Sequence, residues 1–244
     1  LITSLPLLLN LIYKFDTKII LRISGKPQMN IFRYIFWKIA LKKVYKITFP
    51  TVESLEYLKN LKLADESKFE LLYDPVFIVK DINKKKKEKI DNINLKKNDY
   101  FLAIGRLTKQ KNFLFLVKCF SKIVKDHSKT KLVIIGTGEE KDKINHYIKI
   151  NNLSENIILL GYQKNVFKFL KNCKAFILSS LWEDPGFVLI EAMISDSVVL
   201  SSNCPNGPKE IIEKKNGLLF QSNSETDFIH KFNYLIKLNE SDKK

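Results

Sequence analysis

From residue 100 onward, short apolar runs alternate with amphipathic stretches, and this alternation restricts the possible folds most strongly. Strands are predicted at 100–104, 132–135, 157–160, 175–178, 198–201 and 218–220. Helices are predicted at 112–126, 139–150, 166–172, 187–195, 209–213 and 225–238. Because the strands are apolar along nearly their whole length, they indicate a parallel sheet covered on both faces, and hence an α/β fold. Ligands of such sheets bind at the carboxyl ends of the strands.

The first part of the chain predicts a second, incomplete α/β domain. Its strands are predicted at 18–23, 45–49 and 69–72, and its helices at 30–44 and 51–61. The polar segment between the two parts contains the lysine run 84–87 and is predicted to be a linker or an exposed helix. The predicted organisation is therefore a partial N-terminal domain at 1–79, a linker at 80–98 and a C-terminal Rossmann-like domain at 99–244. Since the chain starts at Leu1 and opening strands are missing, we expect a fragment.

The net charge of +16 comes almost entirely from lysine, because the chain contains only three arginines: Arg22, Arg33 and Arg106. Proteins that read nucleic-acid sequence rely on arginine for bidentate contacts to phosphate and guanine. The composition therefore favours a lysine-rich bias over a nucleic-acid partner. The excess charge is also compatible with an anionic membrane surface. We expect a cytoplasmic protein, with peripheral contact at the inner face of the plasma membrane as an open possibility.

Cysteine and carboxylate spacing bear on metals and cofactors. Cys119, Cys173 and Cys204 are widely spaced and form no Cys-x-x-Cys pair, so they favour buried free thiols over disulfides or a zinc site. The chain also lacks an Asp-x-Asp sequence, the paired oxygen ligands that usually hold a nucleotide diphosphate through a divalent ion. We therefore expect neither a metal nor another cofactor. The apolar run at 5–13 is too short to span a membrane.

Two glutamates, Glu183 and Glu191, enclose a segment that follows an apolar strand and opens a helix near Gly186. The start of a helix presents unpaired backbone N–H groups and a partial positive charge, which favour phosphate. Glu191, one to two turns into the helix, could accept hydrogen bonds from two neighbouring hydroxyls, as on a ribose. Glu183, in the loop before the helix, would lie where a sugar sits. The segment therefore predicts a site for a nucleotide-sugar.

Two cations follow the first strand of the second part. Arg106 lies in the sequence Gly105-Arg106-Leu107, and Lys111 follows five residues later. The two side chains could converge on a diphosphate and offset the charge that develops on a leaving group. A surface arginine and a lysine at a helix end explain the same residues equally well.

Two further strand ends carry turn sequences. Gly136-Thr137-Gly138 begins like a dinucleotide fingerprint, but a lysine replaces the third glycine and no acidic residue closes the next strand. A tight turn beside a ligand cleft is therefore favoured over NAD binding. After the strand at 198–201, Gly207 allows a close backbone approach and Glu210 offers a carboxylate. A turn that starts a helix explains this sequence equally well.

Together these motifs resemble the retaining glycosyltransferases of family 4, which have the GT-B architecture of two facing Rossmann-like domains. The resemblance covers most of 100–238 and rests on the order and spacing of the following motifs: Gly105-Arg106-Leu107 with Lys111, Gly136-Thr137-Gly138, Glu183 and Glu191 followed by Ala192-Met193, and Cys204-Pro205-Asn206-Gly207-Pro208-Lys209-Glu210 with Asn216-Gly217-Leu218-Leu219. The Cys-Pro-x-Gly-Pro variant resembles members that use UDP-linked donors, often N-acetylhexosamines or galactose, in bacterial surface-glycan assembly.

The resemblance implies a metal-independent enzyme that moves a hexose or N-acetylhexosamine from a nucleotide-sugar to a glycan or lipid-linked acceptor, with retention at the anomeric carbon. Arg106 and Lys111, beside Gly105, would bind the donor diphosphate. Glu191 would bind the ribose hydroxyls. Glu183 would lie at the donor sugar near the reaction centre and is the predicted catalytic residue.

The resemblance also implies backbone contacts from Gly186, Phe187 and Val188 to sugar hydroxyls and phosphate, with Tyr162 at the base. The family's acceptor domain opens with a glycine-rich loop and usually carries a histidine, and neither has a counterpart in this sequence. A non-catalytic module that binds a nucleotide-sugar therefore stays open as an alternative. A second alternative, a nicotinamide-dependent oxidoreductase, rests on the sequence at 136–138.

The helix predicted at 30–44 leaves the membrane question open. Apolar residues recur at helical spacing, whereas the lysines form a separate stripe. A basic amphipathic helix of this kind can lie on an anionic leaflet. Packing of the apolar stripe against the sheet explains the same pattern and is favoured.

Overall fold

A computed structural model describes residues 4–13, 16–75, 77–90, 95–212 and 217–241. The chain divides into two compact units, Leu1–Pro75 and Val76–Lys244. The division falls before the segment expected to be a linker. That segment contacts the second unit, because Asn165 Nδ2 donates to the Lys85 carbonyl at 2.9 Å and Lys86 Nζ lies 3.0 Å from Asp196 Oδ2.

The first unit contains a small parallel sheet. Its helices are α1 (Ser4–Tyr13), α2 (Ile31–Ala40) and α3 (Val52–Asn60), and its strands are β1 (Ile20–Arg22), β2 (Lys46–Phe49) and β3 (Phe69–Leu71). The strands lie in the order β1-β2-β3, so strands that follow one another in the chain are neighbours. Thr51 is the N-cap of α3, where its side chain accepts a hydrogen bond from the Ser54 N–H.

Helix α2 packs its apolar stripe inward, as the sequence predicts. Trp37 is buried, and so are Leu41 and Val44 just beyond the helix end. The helix also exposes Phe32 and Ile35 on its other side, which the sequence analysis did not anticipate. Among the described residues, no helix combines the length and apolar character that crossing a bilayer requires.

The second unit follows the predicted alternation. Its helices are α4 (Val79–Lys85), α5 (Phe113–Asp126), α6 (Lys141–Ile150), α7 (Phe167–Asn172), α8 (Phe187–Ile194), α9 (Pro208–Ile211) and α10 (Glu225–Ser241). Its strands are β4 (Tyr100–Ile104), β5 (Lys131–Ile135), β6 (Ile157–Gly161), β7 (Ala175–Leu178), β8 (Val199–Ser202) and β9 (Leu218–Phe220). Residue 213 of the predicted helix at 209–213 and Asn216 of the last motif lie outside the described residues.

These strands form one parallel sheet in the order β6-β5-β4-β7-β8-β9. Successive residues of β4 point to opposite faces: Phe101 packs in the core with α5, α6 and α10, whereas Leu102 packs in the core with α7 and α8. Both faces of the sheet are therefore covered, which explains why the strands are apolar throughout. The three cysteines are buried free thiols, as the sequence predicts.

The strand order reverses between β4 and β7, which are neighbours although two strands separate them in the chain. In a parallel sheet, the loops that leave two such strands diverge and open a crevice at their carboxyl ends. The loop after β4 carries Arg106 and Lys111, and the loop after β7 carries Glu183. The fold thus places Arg106, Lys111 and Glu183, three of the charged residues singled out in the sequence, at its topological switch point.

Candidate functional site

A buried ion pair joins the two loops at the switch point. Lys111 Nζ lies 2.6 Å from Glu183 Oε1, and the two side chains are 13% and 4% exposed. A charge-assisted hydrogen bond of this length is strong, and low exposure protects it from water and salt. The structure therefore brings together the lysine and the first glutamate of the predicted site.

Two further contacts fix Glu183. The hydroxyl of Ser180 donates to the same oxygen, Oε1, at 2.5 Å. The backbone N–H of Glu183 donates to the carbonyl of Pro205 at 3.0 Å, which ties the loop after β7 to the loop after β8. The carboxylate is therefore held through both its side chain and its backbone.

Arg106 is exposed and reaches this region through Gln110. The Arg106 Nη2 lies 3.4 Å from Gln110 Oε1, and the Gln110 side-chain N–H donates to the Trp182 carbonyl at 2.9 Å. The Leu181 N–H donates to the Gln110 carbonyl at 2.8 Å. The loop after β4 and the loop before α8 thus form one hydrogen-bonded surface that carries both predicted cations.

Helix α8 begins directly beside Glu183. Its N-cap, Gly186, has a φ of +96°, a backbone conformation that residues other than glycine rarely adopt. Phe187 and Val188 form the first turn and are half-buried. The first N–H groups of a helix have no partner within the helix and point beyond its start. Unpaired donors and a partial positive charge therefore lie at the start of α8, next to Glu183.

Glu191 lies one turn further along α8 and is half-buried. Burial raises the pKa of its carboxyl, and the Lys111 ammonium partly opposes that rise. Burial also raises the pKa of Asp184, and the neighbouring Glu183 charge adds to the effect. Lys111 therefore acts electrostatically on both glutamates of the motif.

The sequence at 136–138 supports the loop after β4. A Cβ on Gly136 would lie 1.8 Å from the Gly105 carbonyl oxygen, and one on Gly138 would lie 2.4 Å from the Leu107 oxygen. The Leu107 N–H donates to the Thr137 carbonyl at 2.8 Å. The space beside both glycines is thus filled by the protein's own backbone, which favours the tight turn over a dinucleotide site.

A pocket of about 260 Å³ lies next to this turn. Its walls come from the ends of β4, β5 and β6 and the segments that follow them: Ile104, Gly105, Arg106, Ile135, Gly136, Thr137, Tyr162, Gln163 and Val166. Tyr162 is 75% exposed, so its ring is available for stacking. The pocket adjoins Arg106, one of the two predicted phosphate-binding residues.

Three residues that hold this site together were not predicted from the sequence: Ser180, Gln110 and Trp182. Ser180 is the second residue after the strand predicted correctly at 175–178, so its place near a strand's carboxyl end was the available signal. Within the described residues, no group of three or more His, Cys, Asp and Glu side chains is arranged to hold a metal.

Comparison with known proteins identifies the family. The sequence model of the glycosyl transferases group 1 family matches residues 83–244, two thirds of the chain. The chain belongs to this family. The predicted GT-B type of α/β fold is confirmed by the solved structure of Anabaena Alr3699/HepE in complex with UDP, which is similar over 96% of this chain and 66% of that one, with a TM-score of 0.78 and 15% identity.

Two curated proteins are similar to this chain over most of its length. The uncharacterized glycosyltransferase MJ1059 of Methanocaldococcus jannaschii is 36% identical over 84% of this chain and 53% of its own length. The N-acetylgalactosamine-N,N'-diacetylbacillosaminyl-diphospho-undecaprenol 4-alpha-N-acetylgalactosaminyltransferase of Campylobacter jejuni is 26% identical over 86% of this chain and 58% of its own length. The chain thus spans little more than half the length of these relatives.

Proposed function

We propose that the second unit binds a UDP-sugar, and that the protein transfers a hexose or N-acetylhexosamine from it with retention of configuration and without a metal. The acceptor is a glycan or a lipid-linked glycan in bacterial surface-polysaccharide synthesis. The observation that carries this proposal is the buried pair of Lys111 and Glu183, 2.6 Å apart, beside the start of α8 at the sheet's switch point.

The donor diphosphate would lie between the loop after β4 and the start of α8. Lys111 leaves its ion pair with Glu183 and binds a phosphate oxygen instead. Arg106, which is exposed, adds a second positive charge beside the diphosphate. The N–H groups of Gly186, Phe187 and Val188 lie at the helix end that favours anions. These charges stabilise the UDP that leaves, so no divalent ion is needed for that step.

The nucleoside would lie on the other side of the diphosphate. Glu191, half-buried in α8, accepts hydrogen bonds from the two ribose hydroxyls. The pocket beside Gly105 and Gly136 accepts the base, which stacks on Tyr162. Support for uridine comes from the similar Anabaena structure, which contains UDP.

The sugar would lie over Glu183. In the transfer step, an acceptor hydroxyl forms a bond to the anomeric carbon from the face that UDP leaves, and the bond to the phosphate oxygen breaks. The acceptor proton goes to that phosphate oxygen. Glu183, negatively charged and fixed by Ser180, faces the positive charge that develops on the sugar ring.

The acceptor class rests on the Campylobacter relative, whose name specifies a diphospho-undecaprenol glycan. A lipid-linked acceptor would bring the protein to the cytoplasmic face of the membrane, where its net charge of +16 favours anionic lipids. Peripheral contact at that face is therefore part of the proposal.

Isothermal titration calorimetry with UDP, GDP and NADH tests the donor site. We expect UDP to bind, and the Glu191→Ala variant to bind it at least about tenfold more weakly, since two hydrogen bonds to a charged group are lost. Binding of NADH in preference to UDP, or UDP binding that Glu191→Ala leaves unchanged, would contradict the proposal.

A further inference from the structure

Two donors from different loops hold Glu183 at one oxygen. Lys111 Nζ lies 2.6 Å from Oε1, and Ser180 Oγ lies 2.5 Å from the same atom. Among the residues that the structure describes, none forms a hydrogen bond with the other oxygen, Oε2. The two donors therefore fix Oε1, and Oε2 has no hydrogen bond from these residues in a carboxylate that is only 4% exposed.

The two donors differ in their freedom to move. The Lys111 ammonium ends a long side chain and can turn from Glu183 to another anion. Ser180 is fully buried, and its carbonyl accepts a hydrogen bond from Ser202 Oγ at 2.7 Å, which ties it to β8. The Ser180 hydroxyl therefore stays beside Glu183 when the ammonium leaves.

The neighbouring serine fixes the other partner of the ion pair. Ser179 Oγ donates to the Lys111 carbonyl at 2.8 Å, so the backbone of Lys111 is tied to the end of β7. Consecutive serines thus anchor the lysine through its backbone and the glutamate through its carboxylate. Movement of Lys111 toward a diphosphate would be confined to its side chain.

We infer that Ser180 is a positioning residue for Glu183, an inference that rests on the nucleotide-sugar site proposed above. While the donor is bound, Lys111 neutralises the diphosphate and Ser180 alone keeps Oε1 hydrogen-bonded. Oε2 is then directed at the donor sugar. A hydroxyl-to-carboxylate hydrogen bond is strong enough for this role because one partner is ionised.

The test compares UDP with a UDP-sugar on the full chain, by calorimetry. The probes are UDP-glucose, UDP-galactose, UDP-N-acetylglucosamine and UDP-N-acetylgalactosamine, and the one that the wild-type chain binds most tightly is used. The variant is Ser180→Ala. Its matched control is Ser201→Ala, because Ser201 is also fully buried and its hydroxyl donates to the Ser202 carbonyl at 3.0 Å rather than to Glu183.

We expect Ser180→Ala to bind UDP within about twofold of the wild type but to bind the UDP-sugar about 10- to 100-fold more weakly, the effect of one lost hydrogen bond to a charged group. Ser201→Ala should bind both as the wild type does. An unchanged affinity for the UDP-sugar, or an equal loss for UDP and UDP-sugar, would overturn the positioning role.

A second variant covers poor folding of Ser180→Ala. Ser180→Cys has nearly the same volume but donates weakly, so we expect the same selective loss of UDP-sugar binding. Wild-type affinity for the UDP-sugar in this variant would overturn the inference. Failure of the wild-type chain to bind UDP at all would instead overturn the proposed donor site, and this inference with it.

Discussion

Lys111 Nζ and Glu183 Oε1 lie 2.6 Å apart although 72 residues separate them in the chain. The pair is largely buried, at 13% and 4% exposure, and it joins the loops after two adjacent strands of the sheet. A buried ion pair adds little net stability compared with apolar residues, but removal of one partner leaves an uncompensated charge. Its placement at the switch point therefore indicates a functional constraint more than a stabilising one.

The first prediction concerns stability. Lys111→Met should lower the free energy of unfolding by about 3 kcal/mol, because the Glu183 carboxylate loses its cation in a buried site. Adding Glu183→Gln should restore part of that loss. Urea denaturation measures both. The control is Lys122→Met, since Lys122 forms a comparably short but exposed pair with Glu225. If Lys111→Met lowers the free energy of unfolding no more than the control does, the Glu183 carboxylate is not destabilised by the loss of its cation.

The second prediction concerns Arg106. Arg106→Ala should weaken UDP binding about tenfold, because a charge-assisted contact to phosphate is lost, and the loss should shrink as salt increases. Arg106→Lys should recover only part of the affinity, since lysine lacks the planar fork. The control is Arg33→Ala, in the first unit, where Arg33 contacts the Gln28 carbonyl. Equal effects at both arginines would argue against a phosphate contact by Arg106.

The third prediction concerns the pH dependence of UDP binding. In the proposed donor site, Glu191 accepts hydrogen bonds from two ribose hydroxyls, and it does so most strongly when it is ionised. Burial raises the pKa of Glu191 above the ordinary value of 4.5. When the pH is lowered, UDP affinity should therefore begin to fall at a higher pH than it would if Glu191 had an ordinary pKa. Titration of Glu191→Gln at the same pH values should lack this step. A step of the same size in the variant would assign it to another group.

The fourth prediction concerns the pH dependence of stability. The raised pKa of Glu191 should lower stability as the pH rises, whereas it lowers UDP affinity as the pH falls. Because the folded-state pKa of Glu191 is raised, its contribution to stability is fully present below pH 4.5 and is lost as the pH rises through the folded-state value. Glu191→Gln removes this titration. The stability of Glu191→Gln relative to the wild type should therefore increase as the pH rises through that range. Thermal unfolding as a function of pH measures the difference, and a constant difference would contradict the assignment.

The fifth prediction concerns the glycine after β8. A Cβ on Gly207, whose φ is +130°, would lie 1.8 Å from the Pro185 carbonyl oxygen. Gly207→Ala should therefore destabilise the chain by about 2–4 kcal/mol and weaken UDP binding by displacing the loop before α8. Gly161→Ala is the control, because Gly161 also has a positive φ of +68° but has open space beside it. Similar losses for both would show that backbone strain alone is responsible.

The sequence predicted the elements well because their signals are local. Apolar strands such as β7 and amphipathic helices such as α5 are encoded in short runs of residues. The order of the strands is not encoded locally, since β4 pairs with β7 across two intervening strands. The resemblance to a family implied this arrangement, and the observed sheet provides it.

The sequence indicated candidate residues for a site, and it did not indicate the contacts between them. Arg106, Lys111 and Glu183 lie in loops that follow strands, and Glu191 lies one turn into a helix, so their places could be inferred. The contact of Ser180 with Glu183 depends on the local turn after β7, and that of Gln110 with Trp182 spans 72 residues. Side-chain contacts of this kind depend on loop conformation, which composition and periodicity do not specify.

A crystal structure of the protein with UDP would show whether Lys111 leaves Glu183 and binds the donor diphosphate. We predict that Lys111 Nζ lies within about 3 Å of a phosphate oxygen, at hydrogen-bonding distance. We also expect Glu191 on the ribose hydroxyls and Ser180 still bonded to Glu183. UDP bound away from the start of α8, or phosphates remote from Lys111 while it stays paired with Glu183, would rule out this exchange.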